Sequence, residues 1–287
     1  MNKIIYLAFL YTLFSTQVQA QYTLPYELGL PDHTITLPPD LKEISGISLC
    51  HQQRFIWAVQ DERGIIYKID IQAKAVVDSI LFWKAGDYEG VEVVDTSIYV
   101  LKSTGTIYEV KMNQSEVVVE KFNDYLSKED DAEGLGYSKA QHKLLVACKN
   151  GDNRKRTIYA FDLATKALDT VFYMNISKKQ MIQYLKLNPQ IRKQSKLVER
   201  FGEKDFDFAP SAVAIHPINE QVYVLSSRGK ILLILDQEGI VLHIEKLDKK
   251  IHTQPEGLCF DQQGNLYISN EGKTDQGKIY RFNKMID

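Results

Sequence analysis

Cysteine is scarce in this chain. Its 287 residues hold three, Cys50, Cys148 and Cys259. The count is odd and no C-x-x-C spacing occurs, so neither a disulfide framework nor a thiolate metal site is expected. Each cysteine sits in or beside an apolar strand-like run and reads as a small buried residue. The six histidines (His33, His51, His142, His216, His243 and His252) are scattered without H-x-x-x-H spacing, which argues against zinc. No G-x-S-x-G, P-loop or H-E-x-x-H motif is present, so no ready-made nucleophile or metalloprotease site is in view. Basic excess is missing too: 35 Lys and Arg face 37 Asp and Glu, a formal charge of −2. That balance argues against nucleic acid as a partner.

Long apolar runs are confined to the first residues. Lys3, the apolar run Ile4 to Phe14 and the small-residue site Val18-Gln19-Ala20 have the form of a secretory signal peptide over residues 1–20, cleaved after Ala20. No cysteine follows that site to carry a lipid. A periplasmic or secreted protein is expected. A leader over 21–32 follows, rich in proline at Pro25 and Pro31.

The remainder, 33–287, is organised by a repeat. Asp87-Tyr88-Glu89-Gly90 returns as Asp131-Ala132-Glu133-Gly134 and as Gln254-Pro255-Glu256-Gly257, with weaker copies at Glu43-Ile44-Ser45-Gly46 and Ala209-Pro210-Ser211-Ala212. Each opens a short apolar run. Gly46, Gly90, Gly134, Ala212 and Gly257 stand 44, 44, 78 and 45 residues apart. A fixed period of this size marks a repeat architecture. Within each period four strand candidates are separated by turn signals, and Ile-Tyr pairs mark the third strand at 66–67, 107–108, 158–159 and 279–280. Four antiparallel strands per unit form a propeller blade. The fold expected is therefore all-β, a five-bladed β-propeller. The last repeat lacks an outer strand, and His33 to Leu37 is placed to supply it and close the ring.

The long interval contains an insertion in blade three, at about 177–205. Ser177 is a good N-cap, Met181, Ile182 and Leu185 recur at helical spacing, and Asn188-Pro189 has the form of a second helix start. Ala167 to Tyr173 is expected as the blade's outer strand. Lys178, Lys179, Lys186, Arg192, Lys193, Lys196 and Arg200 make the insert basic. It is either a solvated helical hairpin on the propeller rim or a lid, membrane-contacting or partner-contacting surface.

Inner strands of a propeller line its channel, and residues two apart share a strand face. Glu43, Asp87, Glu89, Asp131, Glu133 and Glu256 are thus expected around one mouth, with Asp61 and Glu271 able to join from the second strands. So many like charges require raised pKa values or a neutralising cation. Their oxygens suit Ca²⁺ best. Two alternatives stand beside the metal: the acids cap turns ahead of glycine, or Lys102 and Lys149 offset them directly.

The five blade-opening motifs, in this order and spacing, resemble those of the SdiA-regulated-domain proteins of bacterial envelopes, over Leu37 to Phe282. That resemblance implies a five-bladed propeller distantly like the NHL-repeat propellers, with a calcium site and no established activity. The basic insert departs from it. Two functions are open: a calcium-binding ligand-binding or interaction module of the cell envelope, whose partner is a small molecule or an envelope protein, or a metal-dependent hydrolase of lactones or esters with the cation on the axis. A monomer is expected. Whether the chain is an enzyme stays open here.

Overall fold

The computed structural model describes residues 22–49, 53–114, 116–151, 154–191, 196–201 and 206–285. The expected signal peptide, Cys50, His51, Arg192 and Lys193 lie outside them. Five antiparallel sheets form five blades. Blade one is β2 (Ile44–Leu49), β3 (Phe55–Gln60), β4 (Ile65–Asp70) and β5 (Ala75–Leu81). Blade two is β6 (Tyr88–Val94), β7 (Ser97–Lys102), β8 (Ile107–Asn113) and β9 (Glu116–Phe122). Blade four is β15 (Ala209–Ile215), β16 (Val222–Arg228), β17 (Ile231–Leu235) and β18 (Val241–Lys246). Blade five takes β19 (Pro255–Phe260), β20 (Leu266–Asn270) and β21 (Lys278–Phe282), and its outer strand is β1 (His33–Thr36). β1 runs antiparallel to β21, with Thr34 opposite Tyr280 and Ile35 opposite Ile279. The two ends of the chain close the ring, and an open sheet edge is covered.

Blade three departs from the expected pattern. Its inner strands are β10 (Ala132–Ser138), β11 (Lys143–Cys148) and β12 (Lys155–Asp162). The outer strand expected over Ala167 to Tyr173 is broken into β13 (Ala167–Leu168) and β14 (Met174–Ser177), both paired with β12. Between the two pieces, Asp169 N–H still donates to Ala160 O at 2.8 Å and Tyr173 N–H to Ile158 O at 2.8 Å, and the Asp169 carboxylate takes the Lys143 ammonium at 2.7 Å.

The insert begins at α1 (Lys178–Leu187), held by a capping box in which Ser177 and Gln180 bond each other's backbone. Asn188 closes α1 through its N–H to Tyr184 O. α2 (Leu197–Arg200) follows. Met181, Leu185, Leu197 and Phe201 are buried in one cluster with Phe208, Val224 and Ile244 of blade four. The helices thus close the core between blades three and four while Lys179 and Lys186 face outward. The leader also packs: Tyr26 and Leu28 are buried against blades four and five, and the Tyr26 hydroxyl donates to Gly264 O at 2.6 Å. Among the described residues no helix is long and apolar enough to cross a membrane.

The inner strands β2, β6, β10, β15 and β19 contact one another in sequence and close a ring. This is what the repeated glycine serves. A Cβ on Gly46 would stand 2.7 Å from Gly90 Cα, and one on Gly90 would stand 2.5 Å from Leu135 Cβ. Neighbouring inner strands approach too closely there for any side chain. Capping of a tight turn is not what places these glycines.

Candidate functional site

Every inner strand has a register shift where its motif falls. The shifts lie between Ile44 and Ile47, Tyr88 and Gly90, Ala132 and Gly134, Pro210 and Ala212, and Pro255 and Leu258. A bulge adds one residue to a strand and re-aims its side chain. Glu89, Glu133 and Glu256 therefore sit on bulges, with Ser45 and Ser211 in the same slot of the other blades. The strand entrances are stitched to the preceding blade: Tyr88 N–H donates to Asp61 O at 3.0 Å, and Ala132 N–H to Ser103 O at 2.9 Å. Within blade five, Glu271 N–H donates to Gln254 O at 2.9 Å. The mouth is thus built from the first-strand entrances and the second-strand ends together.

The eight acids expected there form one electrostatic community. Burial pushes the Glu89 carboxyl upward, and Glu133, Asp87 and Glu256 add to the shift. Glu133 is also raised by burial, although the Lys149 ammonium 2.8 Å away draws it back, and Asp131 and Asp87 push with burial. Glu256 is raised to about 8, by burial first and then by Glu271 and Glu133. Asp61 is raised to about 6, by burial and then by Glu43, Glu62 and Asp87. Glu271 is raised by burial and by Asp61 and Glu43. Asp87 is exposed and accepts the Ser103 hydroxyl at 2.6 Å; Glu43 is exposed at the rim.

Lys149 makes the single ion pair to any of these acids among the described residues. Burial pulls its own pKa down, but Glu133, Asp131 and Glu256 outweigh that and leave it above the ordinary lysine value. One cation against eight carboxyls leaves a deficit of positive charge, which raises the carboxyls of Glu89, Glu133, Glu256, Asp61 and Glu271 above their ordinary range. Lys102 makes no ion pair with them.

For a hard cation, the donor chemistry fits: every candidate ligand is an oxygen. Asp61 Oδ1 is buried and lacks a hydrogen-bond partner, so one acceptor is already desolvated and unpaired. Spacing is another matter. Among the described residues no three His, Cys, Asp or Glu side chains stand close enough together to hold a metal as they are. Binding a metal would therefore require these side chains to draw inward.

A second mouth escapes the motif-based reading. The far ends of all five inner strands line a cavity of about 590 Å³ that includes Glu92. The signal was a single acid inside the apolar run Val91-Glu92-Val93-Val94.

Comparison with known proteins gives a family and a fold. A model of the SdiA-regulated family matches residues 19–274. Among curated proteins nothing matches. Among solved structures, glutaminyl cyclase from Myxococcus xanthus is similar at 10% identity, with 90% of this chain and 97% of that chain covered and a TM-score of 0.58. A luciferin-regenerating enzyme is similar at 11% identity, with 90% of this chain and 98% of that chain covered and a TM-score of 0.51. At such identities these two likenesses speak for the fold alone.

Proposed function

The chain belongs to the SdiA-regulated family, and on that premise we propose that it is an exported, calcium-binding propeller acting as a ligand-binding or interaction module of the cell envelope. The observation that carries this reading is the charge deficit at the acidic mouth. Bulged Glu89, Glu133 and Glu256 come from three blades, Glu133 and Glu256 raise Glu89, Glu133 raises Glu256, and among the described residues Lys149 alone pairs with one of them. Those three would hold the ion, with Asp87 and Asp131 beside them and Asp61 and Glu271 from the second strands. A bound Ca²⁺ supplies two positive charges on the axis; this chain's residues supply oxygen ligands, a closed ring of strands and a lysine that can turn outward. The exposed Lys179 and Lys186 of α1 offer a basic contact for a partner or an anionic membrane surface.

A second reading, a metal-dependent hydrolase of lactones or esters, draws on one feature. Glu256 stands at about 8, so it can give or take a proton near neutrality. The two readings separate in one experiment. Chelator-stripped protein is returned to millimolar CaCl₂ or MgCl₂, its melting is followed, and lactones, arylesters and phosphoesters are assayed in parallel. Calcium-dependent stabilisation without turnover supports the binding module; turnover lost in Glu256→Gln supports the hydrolase. Absence of both effects removes the calcium proposal.

A further inference from the structure

The cavity at the second mouth lies where the inner strands end, opposite the acidic entrances, and stands independently of the calcium reading. Its volume of about 590 Å³ is within the range of small-molecule sites. Ser48 and Glu92 come from blades one and two, Tyr137 from blade three, Cys259 and Phe260 from blade five, and Tyr173 from the chain leading into β14. Every blade except the fourth thus places one of these groups there, and blade four adds Ala214 and Ile215.

Glu92 is the group that calls for an explanation. It lies in the far half of its inner strand, within the apolar run Val91 to Val94, three residues beyond Glu89 of the acidic mouth. Its Oε1 accepts the Ser48 hydroxyl at 3.0 Å, and Ser48 Oγ in turn accepts the Val93 N–H at 3.1 Å, so the carboxyl is held in place. No Lys, Arg or His among the described residues pairs with it. Burial pushes its pKa up to about 8, against the Ser48 bond. A half-buried carboxyl with no counter-charge among the described residues is costly, and perturbed groups of this kind cluster at functional sites.

The rest of the lining has the same sign. Asp95, Glu220 and Asp261 also border the cavity, and among the described residues Lys139 is its one lysine or arginine. His216 does not balance them: burial lowers its pKa to about 4, and its Nδ1 accepts the Ile218 and Asn219 N–H groups. Two of the acids are already engaged, Asp261 by Asn265 and Glu220 by Gln237. Asp95 is exposed at the border, so Glu92 is the acid of the inner strands that the cavity holds. Cys259 offers no nucleophile, since burial and the neighbouring Glu92 and Asp261 drive its thiol well above the ordinary value. It is an apolar wall, continuous with Phe260. Tyr137 and Tyr173 add ring faces, which attract cations as well as apolar groups.

We propose that this cavity is a binding site for a small organic cation, a primary ammonium on an apolar body, with Glu92 as its counter-ion, Ser48 as the group that orients Glu92, and Tyr137, Tyr173 and Phe260 around the apolar part. A carboxylate with a free oxygen, in an acid-lined cavity with aromatic walls, selects positive charge over neutral isosteres of the same size.

The test is calorimetric titration of the full chain with phenethylammonium and with the neutral isostere 2-phenylethanol, at about pH 8.5, where the amine stays charged and Glu92 ionises. The expected result is binding of the ammonium at least tenfold tighter than the alcohol. Glu92→Gln keeps the acceptor for Ser48 and should lose about tenfold or more for the ammonium alone, while melting no lower than wild type. Ser48→Ala, which frees Glu92 to turn, should weaken the ammonium by a smaller factor. Equal affinity for the two probes, full affinity in Glu92→Gln, or no heat from the ammonium with folded protein would overturn the assignment.

Discussion

Lys149 Nζ lies 2.8 Å from Glu133 Oε1, inside a mouth where the other acids have no ion-pair partner among the described residues. Lys149 directly follows the second strand of its blade and Glu133 sits on the bulge of the first, so the pair spans the two elements that build the site. Removing the lysine tests what it does. Lys149→Met should lower the melting temperature of the metal-free protein by a few degrees, for a loss of about 1–2 kcal/mol. That cost stays below the cost of a bare buried charge because Glu133 can take up a proton instead. The same substitution should tighten calcium binding, since the competing cation is gone. Weaker calcium binding in Lys149→Met would show that the lysine holds the site in shape.

The acids also set a pH profile. Asp61 stands at about 6 and Glu256 at about 8, both above their ordinary values, with Glu89, Glu133 and Glu271 raised as well. Between the ordinary carboxylate range and these values the folded state binds more protons than the unfolded state. Stability therefore falls as pH rises through that window. Metal-free protein should melt several degrees lower at about pH 8.5 than at about pH 5.5, and millimolar calcium should flatten the slope. A melting temperature that rises with pH in the absence of metal would contradict the raised values.

The terminal strand carries the closure. Ile35 and Leu37 are 3% and 1% exposed, and β1 supplies the whole outer edge of blade five. A chain starting at Pro39 also loses the buried Tyr26 and Leu28. It should lose upward of about 5 kcal/mol from apolar burial and show β21 as a bare edge prone to association. Thermal melting with light scattering checks both; an unchanged melting temperature would mean the ring closes without β1.

The helical insert is predicted to behave as core. Met181 and Leu185 are fully buried among residues of blades three and four. Met181→Ala and Leu185→Ala should each cost about 2–5 kcal/mol, as in other buried large-to-small changes. Excising the helices at Ser177 should therefore lower the melting temperature sharply rather than leave a sound propeller. Melting of each variant near wild type would return the insert to a loosely attached rim.

The blades are legible in the chain because one physical demand recurs blade by blade: neighbouring inner strands touch, as Gly46 does against Gly90, and the slot takes glycine in four blades and alanine, Ala212, in blade four. The acids ahead of those glycines were legible for the same reason, being copied with the bulge. What depends on distant partners was not. The Asp169 carboxylate meets Lys143 of another strand, and the leader is fixed by Tyr26 reaching Gly264. Glu92 sits in a run that reads as ordinary strand, and nothing local to it says that the strand ends at a cavity. The buried side of the insert was visible as helical spacing, but its charge drew attention to the face that meets water.

The most direct test of the calcium account is calorimetric titration of Ca²⁺ into chelator-stripped protein at neutral pH. The account predicts one ion per chain, with protons released as the raised carboxyls ionise, and affinity at least tenfold weaker in Glu133→Gln and Glu256→Gln, both still folded. No heat and no thermal stabilisation at millimolar calcium, with both variants as stable as wild type, would contradict it and leave the acids as a proton-holding cluster balanced by Lys149.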